Sequence, residues 1–143
     1  MEVVFMKKKP KVLVVDDEVD FGETLAERLE LRGFDTKFAE NIEEAHIFIE
    51  QGWIPDVILL DLKMPKIDGL KGVEIFKKSV PSACILMITG HGSVSAGIEG
   101  MKKGIYDYLI KPVDLEELIG KINECLKMKN KNNLKSKLDC EAS

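Results

Sequence analysis

Short apolar runs recur along this chain, and each of them ends in polar residues. Two of the runs, residues 12–15 and 57–60, contain no polar break and are too short for a helix. Such runs are typical of strands that are buried on both faces of a parallel sheet. The run at 106–112 is interrupted by polar residues, as an edge strand would be. The pattern predicts strands at the following residues: 11–15, 36–39, 57–60, 84–89 and 106–112.

Stretches with the period of an amphipathic helix follow these runs. We expect Gly33 and Gly52 to end the first and second of the helices. Asn41 has the spacing of a capping box with Glu44, and Asp114 is expected to cap the last helix. The apolar stripes of the first, third, fourth and fifth helices consist, in that order, of the following residues: Phe21, Leu25 and Leu29; Leu70, Val73 and Phe76; Val94, Ile98 and Met101; and Leu115, Leu118, Ile119, Ile122 and Leu126.

Strands and helices therefore alternate along the chain, which predicts an α/β fold. It would be a single doubly wound, five-stranded parallel sheet with helices on both faces. Because crossovers between parallel strands are right-handed, the flavodoxin-like strand order 2-1-3-4-5 is a common solution. We expect one domain over residues 10–128, an N-terminal extension at 1–9, and a basic tail at 129–143 that is frayed or disordered.

Charge is distributed unevenly between the body of the chain and its C-terminal end. Residues 127–143 carry a net charge of +3, and since the whole chain carries −4, the remainder carries −7. An acidic body argues against specific nucleic-acid binding. No apolar run approaches the roughly 20 residues that cross a bilayer, so no membrane contact is expected. The three cysteines have neither metal-site spacing nor the even number of a disulfide set, which predicts a reducing, cytoplasmic location.

Polar residues with potential chemistry stand at the ends of four predicted strands. They are Asp16 and Asp17 (first strand), Asp61 (third), Thr89 (fourth) and Lys111 (fifth). In the order 2-1-3-4-5 these ends meet in one crevice, where open α/β sheets bind ligands. Three carboxylates together require a proton or a cation, and oxygen ligands suit Mg²⁺. With a lysine and a hydroxyl beside them, the set indicates phosphoryl transfer, in which an aspartate can itself accept the phosphoryl group.

In these motifs the chain resembles the receiver domains of two-component response regulators, the CheY-like proteins. The matching motifs are Asp16-Asp17, the block Asp61…Met64-Pro65…Asp68-Gly69, the pair Thr89-Gly90, and Tyr108…Lys111-Pro112. They cover residues 11–126, and each one follows a predicted strand. The segment from Thr89 to Pro112 is most similar to receivers of the nitrogen-regulator type.

The resemblance implies that Asp61 is a phosphoacceptor in a two-component or phosphorelay system. Its phosphoryl group would come from a phosphohistidine on a sensor histidine kinase or a histidine phosphotransfer protein. Mg²⁺ would be the cofactor, bound directly by Asp17, Asp61 and the backbone carbonyl of Lys63, while Asp16 would act through a water molecule. Such a protein catalyses only its own phosphorylation and slow dephosphorylation, so we expect no other enzyme activity.

The resemblance also implies a switch. Lys111 and Thr89 would contact phosphoryl oxygens, and Pro112 would follow a cis peptide bond. Tyr108 would turn inward as Thr89 moves. The predicted fourth helix, residues 94–101, contains two glycines and has little stability of its own, so it should follow. A downstream effector or a second copy of the chain would dock on the face made by the fourth helix, fifth strand and fifth helix.

Each of these residues alone has an ordinary structural explanation. The helix dipole favours an acidic pair such as Asp16-Asp17 at a helix N-terminus. A threonine such as Thr89 is common in turns, and a lysine such as Lys111 is usually exposed to solvent. Tyr108 alone would be a packing residue. Their convergence on one crevice is what favours a functional interpretation.

Other classes of protein fit the sequence less well. A haloacid-dehalogenase-type phosphatase needs a second acid two residues after its nucleophile, where this chain has Lys63. A P-loop nucleotidase needs a Gly-x-x-x-x-Gly-Lys-Ser/Thr motif, which does not occur. In a flavodoxin, the acidic pair would repel the flavin phosphate. The remaining alternative is a receiver-like protein-interaction module that is regulated without phosphorylation.

Overall fold

The computed structural model describes residues 8–61, 69–90, 101 and 103–141. Strands and helices alternate in this part of the chain, which confirms the predicted α/β fold. The strands are β1 (Lys11–Val15), β2 (Asp35–Ala39), β3 (Val57–Asp61), β4 (Cys84–Thr89) and β5 (Asp107–Ile110). The helices are α1 (Val19–Leu31), α2 (Ile42–Glu50), α3 (Gly69–Ser79) and α4 (Leu115–Glu141). Nearly all of the helix predicted over 94–101 lies outside the described residues.

The five strands form one parallel sheet in the predicted order, β2-β1-β3-β4-β5. β1 lies beside β3 with Val15 opposite Leu60. The pairing of β3 with β4 continues to Asp61, and β4 pairs with the edge strand β5 with Thr89 opposite Ile110. The carboxyl ends of β1, β3, β4 and β5 therefore lie along one edge of the sheet. The order of the strands reverses between β1 and β3, where sheets of this type bind ligands.

Side chains of each strand alternate between two hydrophobic cores, one on each face of the sheet. Leu13 and Val15 of β1 belong to the core that α2 and α3 complete, in which Phe76 is fully buried. Val12 and Val14 belong to the other core, which α1 and α4 complete. Because both faces are covered, the central strands are continuous apolar runs rather than alternating ones.

Glycines and polar caps delimit the helices at the predicted places. Gly33 follows α1 with φ of +95°, and Gly52 follows α2 with φ of +93°, a conformation that residues with a Cβ rarely adopt. At the start of α2, Asn41 Oδ1 accepts a hydrogen bond of 2.8 Å from the Glu44 N–H. Asp114 accepts one of 3.1 Å from the first turn of α4. Local chemistry thus sets both ends of α2, the end of α1 and the start of α4.

Two of the three cysteines are bonded, although neither the number nor the spacing of the cysteines predicted a disulfide. Cys84 at the start of β4 forms a disulfide with Cys125 on α4, and their Cα atoms are 6.0 Å apart. The residues are 41 positions apart in sequence, so neither count nor spacing could predict the pair. They meet because the buried stripe of α4, which includes Cys125, packs on the sheet face next to Cys84.

The C-terminal helix α4 continues to Glu141, past the boundary predicted at residue 128. Just beyond that position, Lys129 Nζ lies 2.9 Å from Asp56 Oδ1. The other oxygen of Asp56 accepts a hydrogen bond of 2.9 Å from the Lys11 N–H at the start of β1. This part of α4 is therefore fastened to the amino-terminal edge of the sheet. Neither α4 nor any other helix among the described residues is long and apolar enough to cross a membrane.

Candidate functional site

Four strand ends bring the predicted site residues together. Asp16 follows the last residue of β1, Asp61 and Thr89 are the last residues of β3 and β4, and Lys111 follows β5. Asp16, Asp61 and Thr89 are the buried polar residues of the described part of the chain, with 2%, 2% and 5% exposed surface. Burial of polar groups is costly unless they are paired, so their concentration at one edge of an apolar sheet marks a functional site.

The ammonium group of Lys111 is the centre of this site. Its Nζ lies 2.8 Å from Asp61 Oδ2, 3.4 Å from Asp16 Oδ2 and 3.5 Å from Glu18 Oε1. The same atom lies 4.3 Å from the centroid of the Phe21 ring, within the range of a cation–π contact. One positive charge thus faces three carboxylates and is held over an aromatic ring of α1.

The surplus of acid changes the protonation of the site. Burial, a hydrogen bond with Asp61 and the charge of Asp61 raise the pKa of the Asp16 carboxyl to about 7. These effects outweigh the hydrogen bond that Asp16 accepts from the Glu18 N–H and the attraction of Lys111. Burial opposes the charge on Lys111, but the hydrogen bond to Asp61 and the neighbouring carboxylates raise its pKa on balance. The lysine therefore stays charged, while the Asp16 carboxyl is partly protonated near neutral pH.

Carboxylates suited to a metal ion lie in the same crevice. Oxygens of Asp16, Glu18 and Asp61 lie within 4.8 Å of one another. Asp17, which the sequence predicts as a ligand, does not belong to this group. Its Oδ1 is nevertheless buried and has no hydrogen-bond partner among the described residues. A buried carboxylate oxygen without a donor is costly, and a hard cation such as Mg²⁺ would satisfy it. The residues present therefore fit the predicted metal.

Glu18 is a site residue that the sequence analysis missed. It immediately precedes α1, with its carboxylate half exposed and its tip 3.5 Å from Lys111 Nζ. Its backbone N–H donates a hydrogen bond of 2.9 Å to Asp16 Oδ1, which bends the chain so that both side chains lie on the same side. The available signal was the unbroken run of three acids from Asp16. The signal is weak, because acids are common at helix starts.

The structure positions the remaining predicted residues as follows. The backbone N–H of Lys111 donates a hydrogen bond of 2.7 Å to the carbonyl oxygen of Thr89, which ties the end of β5 to the end of β4. The peptide bond between Lys111 and Pro112 is cis, the conformation that the resemblance implies. Tyr108 is half-buried and packs against the core on the α2 and α3 face. Lys63, whose carbonyl is a predicted ligand, lies outside the described residues.

Comparison with known proteins places this geometry in a family. The response regulator receiver domain matches residues 12–123. Regulatory protein AtoC of Escherichia coli (strain K12) is 35% identical over 109 residues, which cover 76% of this chain and 23% of that protein. A match to a probable transcriptional regulator of Porphyra purpurea covers 50% of that protein, so the chain spans about a quarter to a half of the length of these curated relatives.

Solved structures agree with this match. A CheY-like response regulator receiver domain protein from Methanospirillum hungatei JF-1 has a TM-score of 0.79 and 27% identity, covering 87% of this chain and 98% of that one. NtrX from Brucella abortus, solved in complex with ATP, has a TM-score of 0.83 and 30% identity, covering 90% and 29%. The family match extends over more than half of the residues of this chain, and the chain therefore belongs to the response regulator receiver domains.

Proposed function

We propose that this chain takes a phosphoryl group onto Asp61 from a phosphohistidine of a sensor histidine kinase or histidine phosphotransfer protein. The observation that carries the proposal is the 2.8 Å contact between Lys111 Nζ and the buried Asp61 carboxylate at the end of the central strand. A carboxylate oxygen of Asp61 would attack phosphorus while the P–N bond breaks. The electron pair of the P–N bond would remain on the imidazole nitrogen. The Lys111 ammonium, which contacts Asp61, would then stabilise the negative charge that accumulates on the phosphoryl oxygens.

Mg²⁺ is the cofactor that this proposal includes. The side chains of Asp17 and Asp61 and the carbonyl of Lys63 would hold it, with Asp16 acting through water. When bound, it would offset the charge of the phosphoryl oxygens. Two observations support it: the buried Asp17 Oδ1 without a donor, and the pKa of about 7 that crowding and burial give Asp16. Glu18 belongs to the same acidic group and would hold Lys111 from the solvent side.

The proposal extends to the output of the site. Thr89 would donate its hydroxyl to the phosphoryl group, and Tyr108 would move inward, which would alter the face made by the predicted fourth helix, β5 and α4. An effector or a second copy would dock there. We place the protein in the cytoplasm, with the receiver domain at 10–128 between an extension at 1–9 and a tail at 129–143. Catalysis would be limited to its own phosphorylation and slow dephosphorylation.

Intact-mass measurement with acetyl phosphate and Mg²⁺ tests the assignment. We expect the addition of one phosphoryl group to the wild-type chain and none to Asp61→Asn. The matched control is Asp20→Asn, which changes an exposed acid in the first turn of α1 and should be phosphorylated like the wild type. A stable adduct of the same mass on Asp61→Asn would show that another residue is the acceptor.

A further inference from the structure

A cavity lies at the amino-terminal edge of β4 and β5, at the opposite end of the sheet from Asp61. Its volume is about 360 Å³, which is within the range of small-molecule sites. Both bonded cysteines line it, together with Lys77 of α3 and Lys129 of α4. Gly104, with φ of +106°, forms part of the wall without contributing a side chain. The disulfide is thus inside the domain and open to a small molecule from outside.

The two cysteines differ in how far they can be reached. Cys125 is fully buried on α4, whereas Cys84 is partly exposed at the start of β4. Attack on a disulfide requires an approach to one of its sulfur atoms, and access decides which one. A thiol entering the cavity would therefore reach Sγ of Cys84, and Cys125 would be the leaving thiolate.

The charges around the cavity favour an anionic reagent. Lys129 Nζ is bonded to Asp56, so its charge is partly offset. Lys77 is half-buried and runs along the wall, where its Cε would lie 3.0 Å from a Cβ placed on Gly104. Nearby ammonium groups favour thiolates over thiols and raise the local concentration of anions. The cavity thus combines a reachable sulfur with a positive lining.

We propose that Cys84 and Cys125 form a reversible thiol–disulfide exchange site, which a small anionic thiol reaches through this cavity. A thiolate attacks Sγ of Cys84, a mixed disulfide forms there, and the Cys125 thiolate leaves and takes up a proton. A second thiolate then attacks the sulfur of the bound small molecule, which releases the small-molecule disulfide and leaves the Cys84 thiolate to be protonated. In total, the protein disulfide and two thiols give a protein dithiol and one small-molecule disulfide.

Exchange at this site changes how firmly α4 is held. Cys125 and Lys129 are four residues apart and therefore on one face of the helix. Both join it to the amino-terminal edge of the sheet, through Cys84 and Asp56 respectively. Reduction removes the covalent link and leaves the ion pair, together with the buried contacts of Leu118 and Ile122. The domain stays folded in both states, and the bonded state restrains α4 more tightly. Disulfides in a reducing compartment are generally of this transient kind.

The experiment uses the full chain with Cys140→Ser, so that only two cysteines remain. The chain is equilibrated in mixtures of reduced and oxidised glutathione, quenched with acid, alkylated and analysed by peptide mass mapping. We expect a Cys84–Cys125 bond that forms and disappears with the glutathione ratio, and a mixed disulfide on Cys84 at intermediate ratios. Thiols that stay unpaired in every mixture, or a mixed disulfide on Cys125 instead, would overturn the proposal.

Two lysine variants of α3 test whether the positive lining of the cavity favours an anionic thiol. Lys77→Glu should slow reduction by glutathione on the order of three- to tenfold at low ionic strength. It should slow reduction by 2-mercaptoethanol less, because the attacking thiolate of 2-mercaptoethanol carries one negative charge and that of glutathione carries a net negative charge of about two. Lys78→Glu, which alters the exposed neighbouring lysine of α3, should affect neither rate. Equal effects of the two variants on glutathione would refute the role of the cavity lining. None of these measurements involves Asp61, so their outcome is independent of the phosphoacceptor proposal.

Discussion

Lys111 Nζ lies 2.8 Å from Asp61 Oδ2 and so joins the end of an edge strand to the end of the central strand. Both side chains are nearly inaccessible, at 12% and 1% exposure. Asp16 and Glu18 face the same ammonium, so the site without a metal ion has more negative than positive charge. We therefore expect the stability of the protein to depend on this contact, and the proposed metal binding and phosphorylation to depend on it as well.

Replacement of Lys111 by Met should destabilise the protein in buffer without metal ions. The stem of the side chain can still pack on Phe21, but the buried carboxylates lose their ammonium. Leaving a buried polar group without its partner costs about 1–3 kcal/mol, and more when the group is charged. We expect the free energy of unfolding, measured by urea titration at pH 8, to fall by at least this amount. Saturating Mg²⁺ should recover part of the loss, because the cation replaces the missing charge.

Lys103→Met is the matched control for this measurement. Lys103 pairs with Glu74 at 2.6 Å, but the two side chains are 32% and 56% exposed. Exposed pairs contribute about 0.2–1 kcal/mol, and Mg²⁺ should stabilise this variant only as much as it stabilises the wild type. If the two variants lose equal stability, or if Mg²⁺ leaves Lys111→Met unchanged, the ammonium does not balance the acidic group.

The stability of the metal-free protein should fall as pH rises from about 4 to about 7. The pKa of Asp16 is about 7 in the folded chain, above its ordinary value of 3.8, so the folded state binds more protons than the unfolded state in this interval. Stability then decreases with pH until Asp16 is ionised in both states. The urea midpoint in EDTA should be higher at pH 5 than at pH 7.5, and Asp16→Asn should remove most of this slope.

The slope should remain in Asp20→Asn, which changes an exposed acid of α1. Asp56, Glu74 and Glu116 have lowered pKa values. Their contributions to stability begin to be lost only as pH falls toward the ordinary values of 3.8 for aspartate and 4.5 for glutamate, below the compared range of pH 5 to 7.5. A slope that survives in Asp16→Asn would mean that another group binds the proton.

Mg²⁺ binding should depend on Asp17 more than on Asp16. Asp17 Oδ1 is buried without a donor, whereas Asp16 Oδ1 already accepts a hydrogen bond from the Glu18 N–H. Changing a residue that only supports the ligands of a metal site usually weakens metal affinity about 10- to 100-fold. We expect Asp17→Asn, which changes a proposed ligand, to weaken Mg²⁺ affinity more than this. Asp16→Asn should weaken it less. Titration followed by NMR measures both, and an unchanged affinity in Asp17→Asn would contradict the proposed ligand set.

Two glycines on helices should respond to alanine in opposite ways. A Cβ on Gly22 of α1 would overlap Cε2 of Phe38, so the ring or the helix must move. Overpacking of this kind costs about 1–3 kcal/mol, more than the gain in helix propensity of roughly 1 kcal/mol. Gly120 of α4 is exposed and has nothing within 4 Å of a Cβ. Thermal unfolding should show Gly22→Ala destabilised and Gly120→Ala stabilised by up to about 1 kcal/mol.

The sequence predicted those features that local chemistry determines. The buried strands follow from unbroken apolar runs, and the ends of α1 and α2 follow from Gly33 and Gly52. The position of Asp61 indicates a functional residue because a carboxylate at the end of such a run has little structural purpose. The meeting of Asp16, Asp61, Thr89 and Lys111 then follows from strand order alone.

Features that depend on tertiary packing could not be predicted. Cys84 and Cys125 are brought together by the position of α4 on the sheet, which no spacing in the sequence encodes. Glu18 reaches Lys111 because the backbone turns at Asp16 before α1 begins. In the sequence, an exposed glutamate before a helix is indistinguishable from an ordinary N-terminal acid. The acidic group of the structure therefore includes one residue that the sequence analysis did not select.

Thr89→Ala should separate phosphorylation from its consequences. The carbonyl oxygen of Thr89, rather than its side chain, holds the Lys111 N–H at 2.7 Å. Alanine preserves this bond, so Lys111 should remain beside Asp61 and the variant should still accept a phosphoryl group from acetyl phosphate. What it loses is the hydroxyl that would follow the phosphoryl group and draw Tyr108 inward. Beryllofluoride with Mg²⁺, which mimics the aspartyl phosphate, should shift NMR signals between residues 89 and 111 in the wild type.

In Thr89→Ala the shift at Tyr108 should largely disappear, while signals next to Asp61 should still change. Thr36→Ala is the matched control. Its hydroxyl bonds the Ala26 carbonyl oxygen at 2.8 Å on the far edge of the sheet, so its loss costs about 1 kcal/mol of stability and should leave the Tyr108 shift intact. A full Tyr108 shift in Thr89→Ala would show that the movement reaches β5 by another route. The backbone hydrogen bond from the Lys111 N–H to the Thr89 carbonyl oxygen would then be the first connection to consider, since the substitution by alanine leaves it in place.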